Sequence, residues 1–305
     1  MATEGELLKP LPLPPKVYQM PEDPVGVRPP DEPRADTVAL LRQAFISVYS
    51  RFWRLVRITA YTGLVLAGVF LLTCCPANTL LREHGDWLGV VMEPVSWPLG
   101  IPLVAGYTYA FLLAVQGLHP KAKEIWRPMR SGTLYLNVLV AGLVPAAGSW
   151  LIRLATHMVF GVPSWGVPPP RPFAESILTH LPYVGASLLL TPFAFAALHA
   201  AVTRCSCLEA IRGSLRFASG NLQLLGGYAL FVLASGLFSA LVLEAEATAK
   251  ASLGTSGDLL AQFTVLVSLL IAVVFPVIVN AVVLVHFYRE FVWREREAAA
   301  PAQTA

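Results

Sequence analysis

The stretch EAIRGSLRFASGNLQLLGGYALFVLASGLF, residues 209–238, joins two sequence patterns that indicate the type of fold. Its first part, up to Gly220, carries charged and apolar side chains at helical spacing. After Asn221 the stretch is almost entirely apolar. This change from an amphipathic helix to an apolar one predicts a helix at the membrane surface that leads directly into a membrane span.

The composition of the whole chain agrees with this interpretation. The 305 residues are 55% hydrophobic and only 13% charged, and the mean hydropathy is +0.61. Soluble domains are about one quarter charged. The sequence therefore indicates a multi-pass membrane protein, and it offers no basic domain that would support nucleic-acid binding.

Six stretches are long and apolar enough to cross a membrane, which requires about 20 mostly apolar residues. They are residues 57–75, 98–118, 133–152, 181–202, 222–243 and 259–286. The predicted fold class is all-α: a polytopic membrane protein with six transmembrane helices in three hairpins. The predicted domains are a disordered, proline-rich cytoplasmic tail (residues 1–35), the membrane domain (36–297) and a short disordered C-terminal tail (298–305).

Basic residues are distributed among the loops in a way that predicts the orientation. They concentrate before the first span, in the second and fourth connections and after the last span: Arg42, Arg51, Arg54, Arg57, Lys121, Lys123, Arg127, Arg130, Arg204, Arg212, Arg216, Arg289, Arg294 and Arg296. The other three connections hold more acidic than basic residues. Because cytoplasmic loops are enriched in Lys and Arg, we expect both termini in the cytoplasm.

Three segments share one pattern: a basic amphipathic stretch, a polar joint and then a span. They begin at Leu40, Lys121 and Leu208, and starts spaced by roughly 80–90 residues are typical of a repeat. Each hairpin is therefore predicted to be preceded by a cytoplasmic interfacial amphipathic helix. These helices either only pack under the bundle and set its orientation, or form a specific site for lipid or a partner.

The first and third of these segments show their faces clearly. In the third, Leu208, Ile211, Leu215 and Ala218 form an apolar face beside a polar stripe of Glu209, Arg212, Arg216 and Ser219. In the first, Phe45, Val48, Phe52 and Leu55 share one face. Tyr49 and Trp53 are of the type that anchors at the depth of lipid headgroups.

The candidate site residues follow from these patterns. The basic residues expected to contact anionic lipid headgroups on the cytoplasmic side are Arg51, Arg54, Lys121, Lys123, Arg127, Arg212 and Arg216. The polar residues within spans that would line a cavity, if the protein has one, are Gln116, Asn137 and Asn280. Asn280 follows Pro276 by one turn, so a structural role beside the proline kink is preferred for it.

Two motifs carry a resemblance to a known family. The stretch EAIRGSLRFASGN, with Ser214 and the pair Gly220–Asn221, leads into a span, and the last span ends in FPVIVNAVVLVHFYREFVWRERE at residues 275–297. This arrangement resembles the membrane domain of glycerophosphoryl diester phosphodiesterases and related bacterial inner-membrane proteins without an assigned function. The resemblance implies a six-helix membrane domain, and with it we expect the protein in a bacterial inner (plasma) membrane. It implies no hydrolase activity, because the soluble phosphodiesterase barrel of some relatives is absent.

Residues that would carry chemistry are sparse. The predicted span interiors contain no carboxylate of the kind that proton relays use. His199 and His286 are expected near the same interface, where a histidine pair is the less favoured alternative to two residues hydrogen-bonded to backbone or water. Cys74–Cys75 and Cys205–Cys207 are expected at opposite faces of the membrane, too far apart for a four-cysteine zinc site. We expect no catalytic residue, no metal and no cofactor.

The sequence thus favours a non-enzymatic integral membrane protein that acts as a structural or accessory component through contacts with lipid or with other membrane proteins. A transporter or channel with a cavity between the hairpins is the first alternative. A lipid-modifying membrane enzyme is the weaker one, because it needs converging ionisable side chains.

Overall fold

The computed structural model describes residues 24–26, 28–29, 32–80, 85–160, 189–253, 267, 271 and 274–299. These residues are helical apart from short turns, and they contain no β-strand. The α-helices are α1 (Thr37–Leu80), α2 (Gly85–Val115), α3 (Gly132–Phe160), α4 (Ala196–Thr203), α5 (Cys207–Gly220), α6 (Leu222–Leu253) and α7 (Phe275–Ala299). The all-α prediction is confirmed for this part of the chain.

Among the described residues, four helices contain a segment long and apolar enough to cross a membrane: Pro94–Val115, Gly132–Ile152, Leu222–Ser239 and Phe275–Ala298. They identify a membrane protein. The segments in α2 and α7 are 72% and 78% buried, whereas those in α3 and α6 are 17% buried, so α2 and α7 are central and the other two are peripheral.

Two of the predicted spans are described only in part. The fourth is described from residue 189, and the sixth at residues 267, 271 and from 274 onward. The first predicted span, residues 57–75, lies within α1, which is not one of the four helices that meet the criteria of length and hydropathy.

Aromatic side chains fill the core where α2 and α7 meet. Its largest fully buried members are Tyr109, Phe111, Phe195, Phe217, Phe287 and Tyr288. The ring of Phe217 in α5 packs against Phe195 and Phe291, with centroids 5.0 and 4.5 Å apart. α5 is therefore held by the core rather than loosely attached to it.

A hydrogen bond between α2 and α3 compensates for a proline in the middle of α2. Pro102 has no N–H group, so the carbonyl of Pro98 loses its donor within the helix. The hydroxyl of Tyr135 in α3 donates to this carbonyl across 3.0 Å. The neighbouring helix thus satisfies the backbone group that the proline frees.

The predicted interfacial helix before the second hairpin is wrong. Residues 121–131 form two short 3₁₀ turns, Ala122–Glu124 and Arg127–Met129. Ile125 is buried against α2, where a Cβ on Gly106 would lie 1.8 Å from its carbonyl oxygen. The segment therefore packs into the bundle, and Pro128, which cannot donate a backbone hydrogen bond, suits a turn better than a long helix.

The residues just before α1 lie against α7. Of the tail expected to be disordered up to residue 35, residues 24–26, 28–29 and 32–35 are among those described. Val25 and Ala35 are buried, and the indole N–H of Trp293 donates to the carbonyl of Gly26 across 3.0 Å. The described residues of this segment, which we call the N-terminal strap, pack against α7.

Candidate lipid-contact site

Four described stretches meet at one end of the bundle, which we call the basic end: residues 24–54 without 27, 30 and 31, and residues 116–131, 204–224 and 286–299. Hydrogen bonds join them. Arg54 donates to the carbonyl of Leu118 (3.1 Å), and Arg294 donates to the carbonyl of Ala35 (2.9 Å) and to Oδ1 of Asn221 (2.9 Å). The structure therefore brings together the basic segments that the sequence assigned to one side of the membrane.

Helix α5 at the basic end has three distinct faces. The face toward the bundle is made of small residues and one aromatic: Ala210, Gly213, Ser214, Phe217 and Ala218 are buried. Leu208 and Leu215 remain exposed, at 61% and 40%, and the polar stripe with Arg212 and Arg216 is exposed as well. α5 thus offers an apolar edge and a basic edge side by side.

The expected orientation of α5 is correct in part. Leu208 and Leu215 stay exposed, whereas Ile211 is partly buried against the core and Ala218 is buried, so the predicted apolar face packs on the protein only in part. Small side chains select the packing face because they allow close approach. A Cβ on Gly213 would lie 3.1 Å from Nε2 of His199.

Ser206 and Glu209 fix the start of α5. The backbone N–H of Glu209 donates to Oγ of Ser206 (3.3 Å), and the backbone N–H of Ser206 donates to the carboxylate of Glu209 (2.9 Å). This reciprocal pair is a capping box. Both hydrogen-bonding groups of Ser206 lower the pKa of Glu209 from its ordinary value, the backbone N–H most strongly.

The end of α5 is joined to α7 through Asn221. α5 ends at Gly220 and α6 begins at Leu222, so the predicted joint is confirmed. Oδ1 of Asn221 accepts a hydrogen bond from Arg294 (2.9 Å). Ser214 is fully buried, and its hydroxyl donates to the carbonyl of Pro192.

Arg294 belongs to a network of ion pairs around Glu290. The carboxylate of Glu290, only 1% exposed, lies 2.7 Å from Nε of Arg294 and 2.9 Å from Nη2 of Arg28. Arg28 also pairs with Glu297 (2.7 Å), and Arg34 pairs with the same carboxylate (3.0 Å). The network fastens the N-terminal strap to α7.

The first part of α1 crosses the basic end. Near its start, Thr37 lies close against Gly227 of α6. Further along, Ser47 shares a hydrogen bond with Nε2 of His286 in α7 (3.0 Å), and Arg54 reaches the end of α2. At Arg51 the helix is interrupted, with φ −124° and ψ 17°. The second part of α1 then follows α2, with Thr59 bonded to Tyr107.

The four residues predicted to share the apolar face of this first part differ in burial. Val48 and Leu55 are buried, but Phe45 and Phe52 are exposed. Tyr49 and Trp53 are 90% and 80% exposed, which suits the interfacial anchors expected of them. Together the exposed aromatic residues border a groove of about 880 Å³ beside Arg51 and Arg54.

Not all of the basic residues expected at lipid headgroups are accessible. Lys121, Lys123, Arg212 and Arg216 are exposed. Arg127 is buried, hydrogen-bonded to the hydroxyl of Tyr109 and stacked 4.2 Å from the centre of its ring. Burial lowers the pKa of Arg127, but arginine stays protonated in proteins. Arg127 therefore supports the loop and does not reach lipid.

The three polar residues expected to line a cavity lie at separate places. Gln116 follows the end of α2 and donates to the carbonyl of Pro24. Asn137 accepts from the first turn of α5. Asn280 donates to Oγ of Ser235 across 2.9 Å and so joins α7 to α6 instead of serving the proline kink. The structure does not bring them together.

The two histidines are bonded separately, as expected, but their partners are side chains and not backbone or water. Nδ1 of His199 lies 3.1 Å from the hydroxyl of Tyr288, and His286 bonds Ser47. Cys205 and Cys207 are free thiols, and the side chains of Cys74 and Cys75 lie outside the described residues.

Comparisons with protein-family models, with curated proteins and with solved structures find no match to this chain. The resemblance to glycerophosphoryl diester phosphodiesterase membrane domains therefore stays a prediction.

Proposed function

We propose that the protein is a non-enzymatic integral membrane protein that acts as a structural or accessory component through contacts of its basic end with anionic lipid or with another membrane protein. In this proposal it has six spans and both termini in the cytoplasm of a bacterium, so that the basic end lies at the cytoplasmic surface of the inner membrane. The described helices and the charge bias of the loops support this arrangement.

The observation that carries the proposal is the double exposed edge of α5. Its apolar edge, Leu208 and Leu215, adjoins the basic edge, Arg212 and Arg216, while a third face is fixed to the core. An amphipathic helix with this arrangement lies at a membrane surface with its apolar side in the acyl region and its arginines near phosphate groups. An exposed edge of this kind on a rigid scaffold also suits a helix of a partner protein.

The placement of the polar residues favours this proposal over a carrier or an enzyme. Gln116, Asn137 and Asn280 each bond a different structural element. In the described part of the chain, the buried carboxylate of Glu290 pairs with Arg28 and Arg294 and fastens the strap. The buried guanidinium group of Arg127 bonds Tyr109 and supports the loop between α2 and α3. These contacts give the ionisable groups structural roles.

The experiment is to measure the anionic lipid that stays with the protein during purification in mild detergent. Replacing Arg212 and Arg216 together with Gln should lower the ratio of retained phosphatidylglycerol to phosphatidylethanolamine. The matched control replaces both with Lys, which keeps the charge and should keep the ratio. An unchanged ratio in the double Gln variant would contradict a lipid-contact role for α5.

A further inference from the structure

The groove on α1 has the size and lining of a ligand site. Its volume of about 880 Å³ falls in the range of about 300–1,000 Å³ that is typical of ligand clefts. Phe45, Phe52 and Trp53 of α1 form its walls, together with Phe275 of α7. Phe275 precedes His286 by about 16 Å along the helix, so the groove runs from the basic end toward the apolar part of the bundle.

Two cations line the same groove, and its lining includes no acidic residue among those described. Arg54 donates to the carbonyls of Gly117 and Leu118. Within the described part of the chain, no hydrogen bond or ion pair engages the guanidinium group of Arg51. Burial and the neighbouring charge of Arg54 lower the pKa of Arg51. Because arginine stays protonated, the pair is a fixed positive charge that lacks a counter-ion in the groove.

Nearby groups do not cancel this charge. Arg289 of α7 lies close enough to Arg51 for the two cations to repel each other, and the acidic groups that interact with Arg289 are Glu32 and Glu290. The partner in the groove must therefore carry the negative charge. An anion with an apolar extension would fill both parts of the groove.

We propose that the groove binds one anionic phospholipid, with its phosphate group on Arg51 and Arg54 and one acyl chain along Phe45, Phe52 and Phe275. This inference rests on the proposed function, because it requires the first part of α1 to lie at the membrane surface. Phosphate oxygens accept charge-assisted hydrogen bonds from arginine. Trp53 stands at the rim, where aromatic residues commonly meet headgroups. A zwitterionic lipid would bring its own cation next to Arg51 and Arg54, so the groove selects a net negative headgroup.

The test is native mass spectrometry of the full-length protein in detergent, titrated with phosphatidylglycerol or with phosphatidylcholine of the same acyl chains. We expect one saturable phosphatidylglycerol per chain and an affinity for phosphatidylcholine at least about tenfold weaker. Arg51→Gln should weaken phosphatidylglycerol binding at least about tenfold without lowering the temperature of unfolding. Equal affinity for the two lipids, or an unchanged affinity in Arg51→Gln, would overturn the proposal.

Control variants separate this site from the general attraction of α5 for lipid. The double variant Arg212→Gln/Arg216→Gln removes more charge but lies outside the groove, so the single saturable site should remain. If it disappears equally in this variant, the groove is not a site, although the proposed function stands. Phe45→Ala tests the acyl-chain half independently of charge and should also weaken the site. Competition by glycerophosphoglycerol, the headgroup without acyl chains, at the same concentration would show that the chain contributes nothing and overturn that half.

Discussion

Arg294 of α7 donates a hydrogen bond to Oδ1 of Asn221 across 2.9 Å. This bond connects α7 to the joint between α5 and α6. The same guanidinium group bonds Glu290 and the carbonyl of Ala35. One side chain thus connects the joint between α5 and α6, helix α7 and the N-terminal strap. Arginine can do so because its donors point in several fixed directions.

This relationship predicts the order of damage from substitutions at the joint. Asn221→Ala should cost about 1 kcal/mol of unfolding free energy. Arg294→Ala should cost about 2–3 kcal/mol, because it also removes a charged hydrogen-bond partner from the buried carboxylate of Glu290. Arg294→Lys should be intermediate, since lysine cannot reach three acceptors in a fixed geometry. Unfolding in mixed micelles measures these values, with Arg212→Ala as an exposed control. Equal stability of Arg294→Ala and the wild type would contradict the network.

Gly106 is predicted to be the least replaceable of the described glycines in α2. An added Cβ would lie 1.8 Å from the carbonyl oxygen of Ile125, which is backbone and cannot turn aside. Gly106→Ala should therefore displace the loop between α2 and α3 and sharply reduce the yield of folded protein. Gly100→Ala in the same helix meets no atom within 4 Å and should be tolerated. The two yields after size-exclusion chromatography decide the matter, and similar yields would refute the close approach.

The capping box of α5 predicts a response to acid. The pKa of Glu209 is lowered in the folded chain, so its ionised form stabilises the start of α5 at any pH above its ordinary pKa. That contribution is lost as the pH falls through the lowered, folded value. Hydrogen exchange at residues 207–210, corrected for the intrinsic rate, should rise at acidic pH in the wild type. It should respond much less in Glu209→Gln, whose side chain does not titrate, and an equal response would exclude Glu209 as the cause. Ser206→Ala should raise exchange about fivefold at neutral pH.

The proposed topology predicts where the two ends of the chain can be labelled. We place single cysteines at residue 2 and at residue 304 of an otherwise cysteine-free variant. In cells, each should react with a membrane-impermeant thiol reagent only after the inner membrane is made permeable. The positive control is the same reagent on permeabilised cells. Reaction of either cysteine in intact cells with a permeant outer membrane would place that end outside the cytoplasm.

Local features of the basic end were predictable from sequence. The boundary at Gly220–Asn221 is marked by a change of pattern within a few residues, and the helical spacing of α5 needs no knowledge of distant residues. The packing face of α5 was not predictable in the same way. Ala210, Gly213 and Ser214 are weakly hydrophobic, and only the position of His199 on another helix shows why small residues are required there.

Long-range contacts account for the other differences. Arg28 and Glu290 are 262 residues apart in sequence, and no periodic pattern connects them. Arg127 is indistinguishable from an exposed loop arginine until the ring of Tyr109 is placed beneath it. The segment at Lys121 has the charge of its two counterparts but adopts 3₁₀ turns, because packing against α2 determines its conformation.

In the proposed function, the basic end lies at a membrane surface, with α5 in the interface. Spin labels placed singly along α5, in a cysteine-free chain in lipid nanodiscs, test it through their accessibility to oxygen and to a water-soluble nickel complex. Spin labels at positions 208 and 215 should be the most accessible to oxygen. Those at positions 212, 216 and 219 should be the most accessible to the nickel complex. If the labels at all five positions are highly accessible to the nickel complex, α5 lies in water, which would contradict its placement in the membrane interface.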